Sequence, residues 1–195
     1  MPSLPDWAFY PTAAAVVAAM IAAATSFGDT NHRTPEEIRA EGITFSGDRL
    51  PMLTTGNGLT VEFLSEDGIQ FARIMAARGP LDGIQSAGAF FTLSEDEIEA
   101  LEGHRLRMTY VVRSSAEDGA EQMLTNLFIP GRSQSQWETN ALEPDFTALT
   151  VEISPTRCDW EYAYVSVWPD WNNVRNQVDL QRVDVTVLEP ISCPD

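Results

Sequence analysis

Residues 104–113 read HRLRMTYVVR, and the order of apolar and polar residues in this stretch indicates a β-strand with one buried face. A strand sends successive side chains to opposite faces, so residues two positions apart share a face. The apolar set is Leu106, Met108, Tyr110 and Val112, and the charged set is Arg105, Arg107 and Arg113. The stretch therefore predicts a strand with an apolar inner face and a charged outer face.

Similar short alternating segments follow residue 42, separated by Gly, Pro, Asp and Asn. This rhythm is typical of a β-sandwich or barrel. In the last segment the alternation changes phase at Gln181-Arg182, which predicts a β-bulge. We expect strands near residues 43–46, 58–64, 69–77, 87–92, 104–113, 121–130, 146–153, 161–168 and 177–188.

Two short helices are expected among these strands. Thr34 is followed by Pro35 and two glutamates, which is the pattern of an N-cap, a first-turn proline and acidic residues in the first turn. Ser94 has Glu97 three residues later, which forms a capping box. The first pattern predicts one short helix, and the second predicts one helical turn that leads into the strand at 104–113.

The N-terminal segment differs in composition, because residues 7–28 contain no charged residue over 22 positions. As a helix these residues would extend about 33 Å, close to the hydrocarbon thickness of a bilayer, about 30 Å. We expect a retained single-pass transmembrane helix. A cleaved signal peptide, disfavoured because residues 1–12 lack Lys and Arg, and a buried soluble helix are the alternatives. The predicted anchor residues are Trp7, Tyr10, Val16, Val17, Met20, Ile21 and Phe27.

The chain therefore divides, on sequence, into a membrane anchor (1–28), a juxtamembrane linker with a short helix (29–57) and a β-sandwich domain (58–195). The fold class expected is mainly β.

The charge of the chain excludes some partners. Its 29 acidic residues outnumber 12 basic ones, all of them arginine, and the formal net charge is −17. Such a surface repels phosphate backbones and anionic headgroups, so nucleic-acid binding and charge-driven membrane binding are disfavoured. Adaptation to high salt is an alternative explanation for the acidity.

The two cysteines bear on localisation. Cys158 and Cys193 could form a disulfide in an oxidising compartment, or remain two unpaired thiols. Arg33 and Arg39 follow the anchor and favour a cytoplasmic domain by the positive-inside rule. We favour the disulfide, and with it a domain on the periplasmic side of a bacterial inner membrane.

The stretch WEYAYVSVWPDWNN, residues 160–173, places aromatic and aliphatic residues on opposite faces of a predicted strand. If Val165 and Val167 face the core, the aromatic rings face outward and offer a docking surface for a protein or a glycan. The alternative buries the rings in the sandwich. The predicted docking residues are Tyr162, Tyr164, Trp168 and Trp171.

Motifs that would indicate catalysis are absent from the sequence. Neither a GxSxG elbow, an HExxH helix nor a phosphate-binding glycine loop occurs, and the two cysteines lack CxxC spacing. Oxygen ligands to Ca²⁺ could come from Asp170, Asn172, Asn173, Asn176 and Asp179, but a solvated turn is the usual meaning of such residues. We therefore expect no enzyme activity, no cofactor and no metal.

Several segments resemble those of a known group, in the order EALEGHRLRMTYVVRSS, LFIPGRSQSQWETNAL, FTALTVEISP, YAYVSVWPDWNN and VDLQRVDVTVLEP. Over about residues 58–190 the chain resembles the galactose-binding-like jelly roll of carbohydrate-binding modules and related accessory domains. This resemblance implies a jelly-roll β-sandwich. It transfers no site residue.

Two functions are compatible with these features. The first is a single-pass, membrane-anchored accessory subunit that docks on a larger membrane protein complex, possibly energy-transducing, because an Ala-rich helix gains from protein neighbours in the bilayer. The alternative is a membrane-tethered carbohydrate-binding module. The main prediction is the accessory subunit.

Overall fold

The computed structural model describes residues 10, 13–18, 20, 33–80, 82, 86–130, 137–155, 158–171 and 174–192. The chain divides into two compact units, Met1–Arg33 and Thr34–Asp195. Residues 34–57, predicted as a linker, thus belong to the second unit.

In the first unit, residues 13–18 are helical, as are Tyr10 and Met20. Tyr10, Val16, Val17 and Met20 are exposed. Within the described part of the chain, no helix combines the length and the apolar character that a membrane crossing requires. Trp7, Ile21 and Phe27 lie outside the described residues, and the anchor stays a prediction.

The second unit contains two short α-helices and one 3₁₀ helix, η1 (Gly47–Met52), within the described residues. Helix α1 (Pro35–Glu41) begins at the N-cap Thr34, and helix α2 (Glu95–Leu101) begins at the N-cap Ser94. In both, the hydroxyl accepts from the backbone N–H three residues later and a glutamate accepts from the N-cap N–H. The helix starts predicted from sequence are confirmed.

The strands of this unit form two sheets. Their bounds are β1 Ile43–Phe45, β2 Thr54–Thr55, β3 Leu59–Glu66, β4 Ile69–Ala76, β5 Ala89–Thr92, β6 His104–Ser114, β7 Gln122–Phe128, β8 Glu138–Ala141, β9 Thr147–Ile153, β10 Tyr164–Pro169 and β11 Gln177–Pro190. Strands β2 and β8, which are short edge strands, were not expected from the sequence.

In the described residues, sheet A has six strands in the order β3-β4-β11-β6-β9, with β1 paired to β11, and sheet B has five in the order β2-β5-β10-β7-β8. The pairings between named strands are antiparallel. Between β4 and β11 the chain crosses from one sheet to the other several times. As a result, β11 lies between β4 and β6 in sheet A, and β10 lies between β5 and β7 in sheet B. This is the order of a jelly roll, in which two Greek keys form a β-sandwich.

The core lies between the inner faces of the two sheets. Leu106, Met108 and Tyr110 of β6 are 0% exposed, which confirms the inner face predicted from HRLRMTYVVR. Phe45 of sheet A stacks on Phe91 of sheet B with ring centroids 4.3 Å apart. The predicted bulge is also confirmed, because the register of β11 against β6 shifts between Leu180 and Arg182.

The outer face of sheet A is charged. Asp179, on β11, is 0% exposed, and its carboxylate accepts hydrogen bonds from Arg73 at 2.8 Å, Ser115 at 2.7 Å and Arg113 at 3.0 Å. The Arg113 guanidinium also lies 4.5 Å from the ring centroid of Phe146. Burial, the largest single influence, raises the pKa of Asp179, but the hydrogen bonds from Arg73, Ser115 and Arg113 hold the net pKa below its ordinary value.

Candidate functional site

The outer face of sheet B differs from that of sheet A because none of the described strand residues that form it is charged. Val165 and Val167 of β10 are buried in the core, so the alternate residues of β10 and their partners across the sheet lie on the outer face. The residues of this face are Thr54, Phe90, Thr92, Gln122, Leu124, Asn126, Phe128, Thr139, Ala141, Tyr164, Ser166 and Trp168. These strand positions are uncharged in a chain of net charge −17.

Three aromatic rings form a cluster on this face, one from each of the adjacent strands β5, β10 and β7. The ring of Tyr164 lies 4.9 Å from that of Phe90, edge to face, and 6.1 Å from that of Phe128. All three side chains are partly exposed and lie outside the buried core. They provide an apolar surface at the end of the face where the exposed Thr92 pairs with Tyr164.

Trp168 lies on the same face but is 0% exposed, so the predicted exposure of this docking residue is wrong. Its indole Nε1 donates to the backbone oxygen of Arg78 at 2.9 Å, and the Arg78 guanidinium lies 5.6 Å from the ring. The ring of Trp137 meets it edge-on at 5.9 Å. The sequence pattern placed Trp168 on the correct face, but other segments of the chain cover it.

Two polar residues lie in the middle of the face, between the aromatic cluster and Trp168. Ser166 and Asn126 are directly opposite each other on β10 and β7, and they are 0% and 4% exposed. The Ser166 hydroxyl donates to the backbone oxygen of Tyr164 at 3.4 Å. The Asn126 carboxamide nitrogen Nδ2 has no hydrogen-bond partner among the residues that the structure describes.

The remaining aromatic residues predicted from WEYAYVSVWPDWNN have different environments. Tyr162, just before β10, is 52% exposed. Trp171 is only partly exposed and packs against the core, and Trp160 is buried. Only Tyr162 and Tyr164 of the four predicted docking residues therefore offer surface near the cluster, and the docking role of the set stays a prediction.

Cys158 is disulfide-bonded, but Cys193 lies outside the described residues, as do Asn172 and Asn173. Among the described residues, no cluster of three or more His, Cys, Asp or Glu side chains could hold a metal ion. His104 contacts the backbone oxygen of Glu102 through Nδ1 at 2.8 Å.

A separate apolar cavity of about 230 Å³ lies between η1 and the β3–β4 hairpin. Leu50, Pro51, Phe63 and Phe71 are among its lining residues. It contains none of the residues of the outer face of sheet B.

The comparisons with known proteins identify similar structures but no family. No protein-family model matches the chain, and no curated protein matches it. The CBM22-1 xylan-binding domain of Xyn10C from Paenibacillus barcinonensis is 12% identical, with 70% of this chain and 86% of that chain covered and a TM-score of 0.49. The C-terminal family 22 carbohydrate binding module of Xyn10B from Clostridium thermocellum is 12% identical, with 72% and 88% covered and a TM-score of 0.46.

A CBM4 structure is 14% identical, with 82% of this chain and 91% of that chain covered and a TM-score of 0.43.

Sequence reasoning missed Phe90, Phe128 and Asn126, which complete the face around Tyr164. The segments AFFT and QMLTNLF hold apolar residues at consecutive positions, so alternation alone does not separate an inner from an outer face. A signal was present in Phe90-Phe91, because two adjacent large rings in a strand must point to opposite sides of its sheet.

Proposed function

We propose that the second unit is a non-catalytic carbohydrate-binding module, and that the glycan binds the outer face of sheet B. The observation that carries the proposal is the partly exposed cluster of Phe90, Tyr164 and Phe128 on a face without charge. The exposed Tyr162 lies just before β10 and adds further aromatic surface.

The chemistry of this face matches that of a sugar. A pyranose ring has apolar C–H surfaces and a rim of hydroxyl groups, and an aromatic ring offers an apolar face on which such a surface can stack. Ligand sites combine an apolar lining with a few polar groups that fix orientation. The exposed Thr92, paired with Tyr164, supplies such a polar group beside the rings.

The test is binding of the full chain to soluble polysaccharides in native affinity gels, with xylan, β-glucan, mannan and galactan as probes. Phe90→Ala and Phe128→Ala are expected to weaken binding at least about tenfold each, equivalent to about 1.4 kcal/mol, because each removes one stacking ring. Phe63→Ala is the matched control, since this exposed phenylalanine belongs to sheet A. Unchanged migration of the wild-type chain with every probe would contradict the proposal.

Tethering to a bilayer by residues 7–28, with the domain in the periplasm, is the finer part of the proposal. Its support is the absence of charge over 22 positions and the exposure of Val16, Val17 and Met20. Fractionation of cells that produce the full chain should recover it with membranes, and recovery in the soluble fraction would oppose the tether. Docking on a membrane complex, the main prediction from sequence, gains no further support from the described residues.

A further inference from the structure

The environment of Asn126 narrows the class of glycan that this face can take. Its side chain is 4% exposed and lies on the outer face of sheet B, opposite Ser166. A buried amide donor without an acceptor is costly, and buried polar groups in folded proteins are nearly always paired. No described residue accepts from its Nδ2.

The charges around this amide also restrict the ligand. None of the side chains on the outer face of sheet B is charged, and the chain as a whole carries −17. Arg78, at the Trp168 end of the face, donates through its two terminal nitrogens to the backbone oxygens of Asp82 and Asn57. A ligand carboxylate or sulfate at the aromatic cluster, the end of the face away from Arg78, would therefore be desolvated beside uncharged groups, in the negative field of the protein.

We infer that the ligand is a neutral glycan, and that the Asn126 carboxamide donates a hydrogen bond to one of its hydroxyl or ether oxygens. The inference rests on the proposed glycan-binding function. It makes Asn126 a specificity-determining residue, because an amide can satisfy a neutral oxygen, whereas a carboxylate is typically recognised by the charged fork of an arginine.

Pairs of polysaccharides that share a backbone and differ in charge test the choice of ligand. The probes are hydroxyethylcellulose with carboxymethylcellulose, unsubstituted xylan with glucuronoxylan, and methyl-esterified with de-esterified homogalacturonan. For a pair whose neutral member binds, the anionic member is expected to bind at least about tenfold more weakly at low salt, and added NaCl should narrow the gap. Preference for the anionic member would overturn the inference and leave the proposed function standing.

Two substitutions test the amide itself. Asn126→Leu should leave thermal stability unchanged or raise it, because it removes a donor that no described residue satisfies. It should weaken binding to the neutral probe about tenfold or more. Asn126→Asp should weaken binding to the neutral probe further. Asn57→Asp, which adds the same charge at an exposed turn, is the control.

The outcomes separate the two claims. Wild-type protein that binds no probe defeats the proposed function and this inference together. Wild-type binding that survives in Asn126→Leu overturns only the role of the amide, as does an Asn126→Leu chain that fails to fold, since the amide would then have a structural role. In the unchanged protein, the side-chain N–H resonances of Asn126 should shift when the neutral probe is added, and resonances that stay in place would also overturn the role.

Discussion

The indole of Trp168 connects three segments of the chain at the outer face of sheet B. It donates from β10 to the backbone oxygen of Arg78, which follows β4, and it packs against Trp137, which precedes β8. A Cβ atom placed on Gly88 would lie 3.2 Å from the Trp168 ring. Trp168 is thus a packing residue that holds the connections around the face in place.

Replacing Trp168 with alanine should lower the free energy of unfolding by about 3 to 5 kcal/mol, because it leaves a large cavity and removes a buried hydrogen bond. Urea unfolding of the purified domain measures this change. Tyr162→Ala, at an exposed position, is the control and should change stability by no more than about 0.5 kcal/mol. Equal midpoints for Trp168→Ala and the wild type would contradict the packing role.

The strands of the two sheets carry different side chains on their outer faces, charged on sheet A and uncharged on sheet B. On sheet A, neighbouring strands β4, β11 and β6 bring Arg73, Asp179 and Arg113 side by side in one register. The buried carboxylate is balanced by two guanidinium groups and a hydroxyl. Sheet A therefore has ion pairs on its outer face, whereas the strands of sheet B place aromatic and uncharged polar groups on theirs.

Asp179→Asn should destabilise the domain by about 3 kcal/mol at pH 7, because it leaves the two arginines without their buried counter-charge. The pKa of Asp179 is lowered in the folded state, so its stabilising effect is present above the unfolded pKa of about 4 and is lost as pH falls below it. The stability difference between variant and wild type should therefore shrink as the pH falls below about 4. Asp145→Asn, at an exposed position, is the control, and a difference that is constant with pH would contradict this account.

At the scale of the whole molecule, negative charge opposes folding. The chain carries 29 acidic residues and 12 arginines, so its carboxylates outnumber its cationic side chains by more than two to one. Repulsion between like charges destabilises a compact state, and exposed ion pairs contribute little to the stability of the fold. The outer face of sheet B differs from the rest of this acidic surface because its strand residues carry no charge.

Raising NaCl from about 10 mM to 1 M at pH 7 should raise the midpoint of thermal unfolding, because the Debye length falls from about 30 Å to about 3 Å. The same titration near pH 4.5, where many carboxylates are neutral, is the control and should show a smaller rise. A midpoint that falls with salt at pH 7 would show that ion pairs outweigh repulsion.

The sequence alone determined the local features of this protein. Side-chain alternation predicted strands near most of those observed and the inner face of β6, and the capping residues Thr34 and Ser94 predicted both helix starts. These features depend on neighbours within a few residues, so the local sequence contains the information. The phase change at Gln181-Arg182 likewise predicted the bulge.

Only the tertiary structure decided the candidate site. Phe90, Asn126 and Tyr164 come from distant parts of the chain and share a face because of the pairing of β5, β10 and β7. Tyr162 and Trp168 are placed on the same side by alternation, yet one is 52% exposed and the other 0%. Alternation assigns a side chain to a face, but its exposure depends on which distant segments pack over that face.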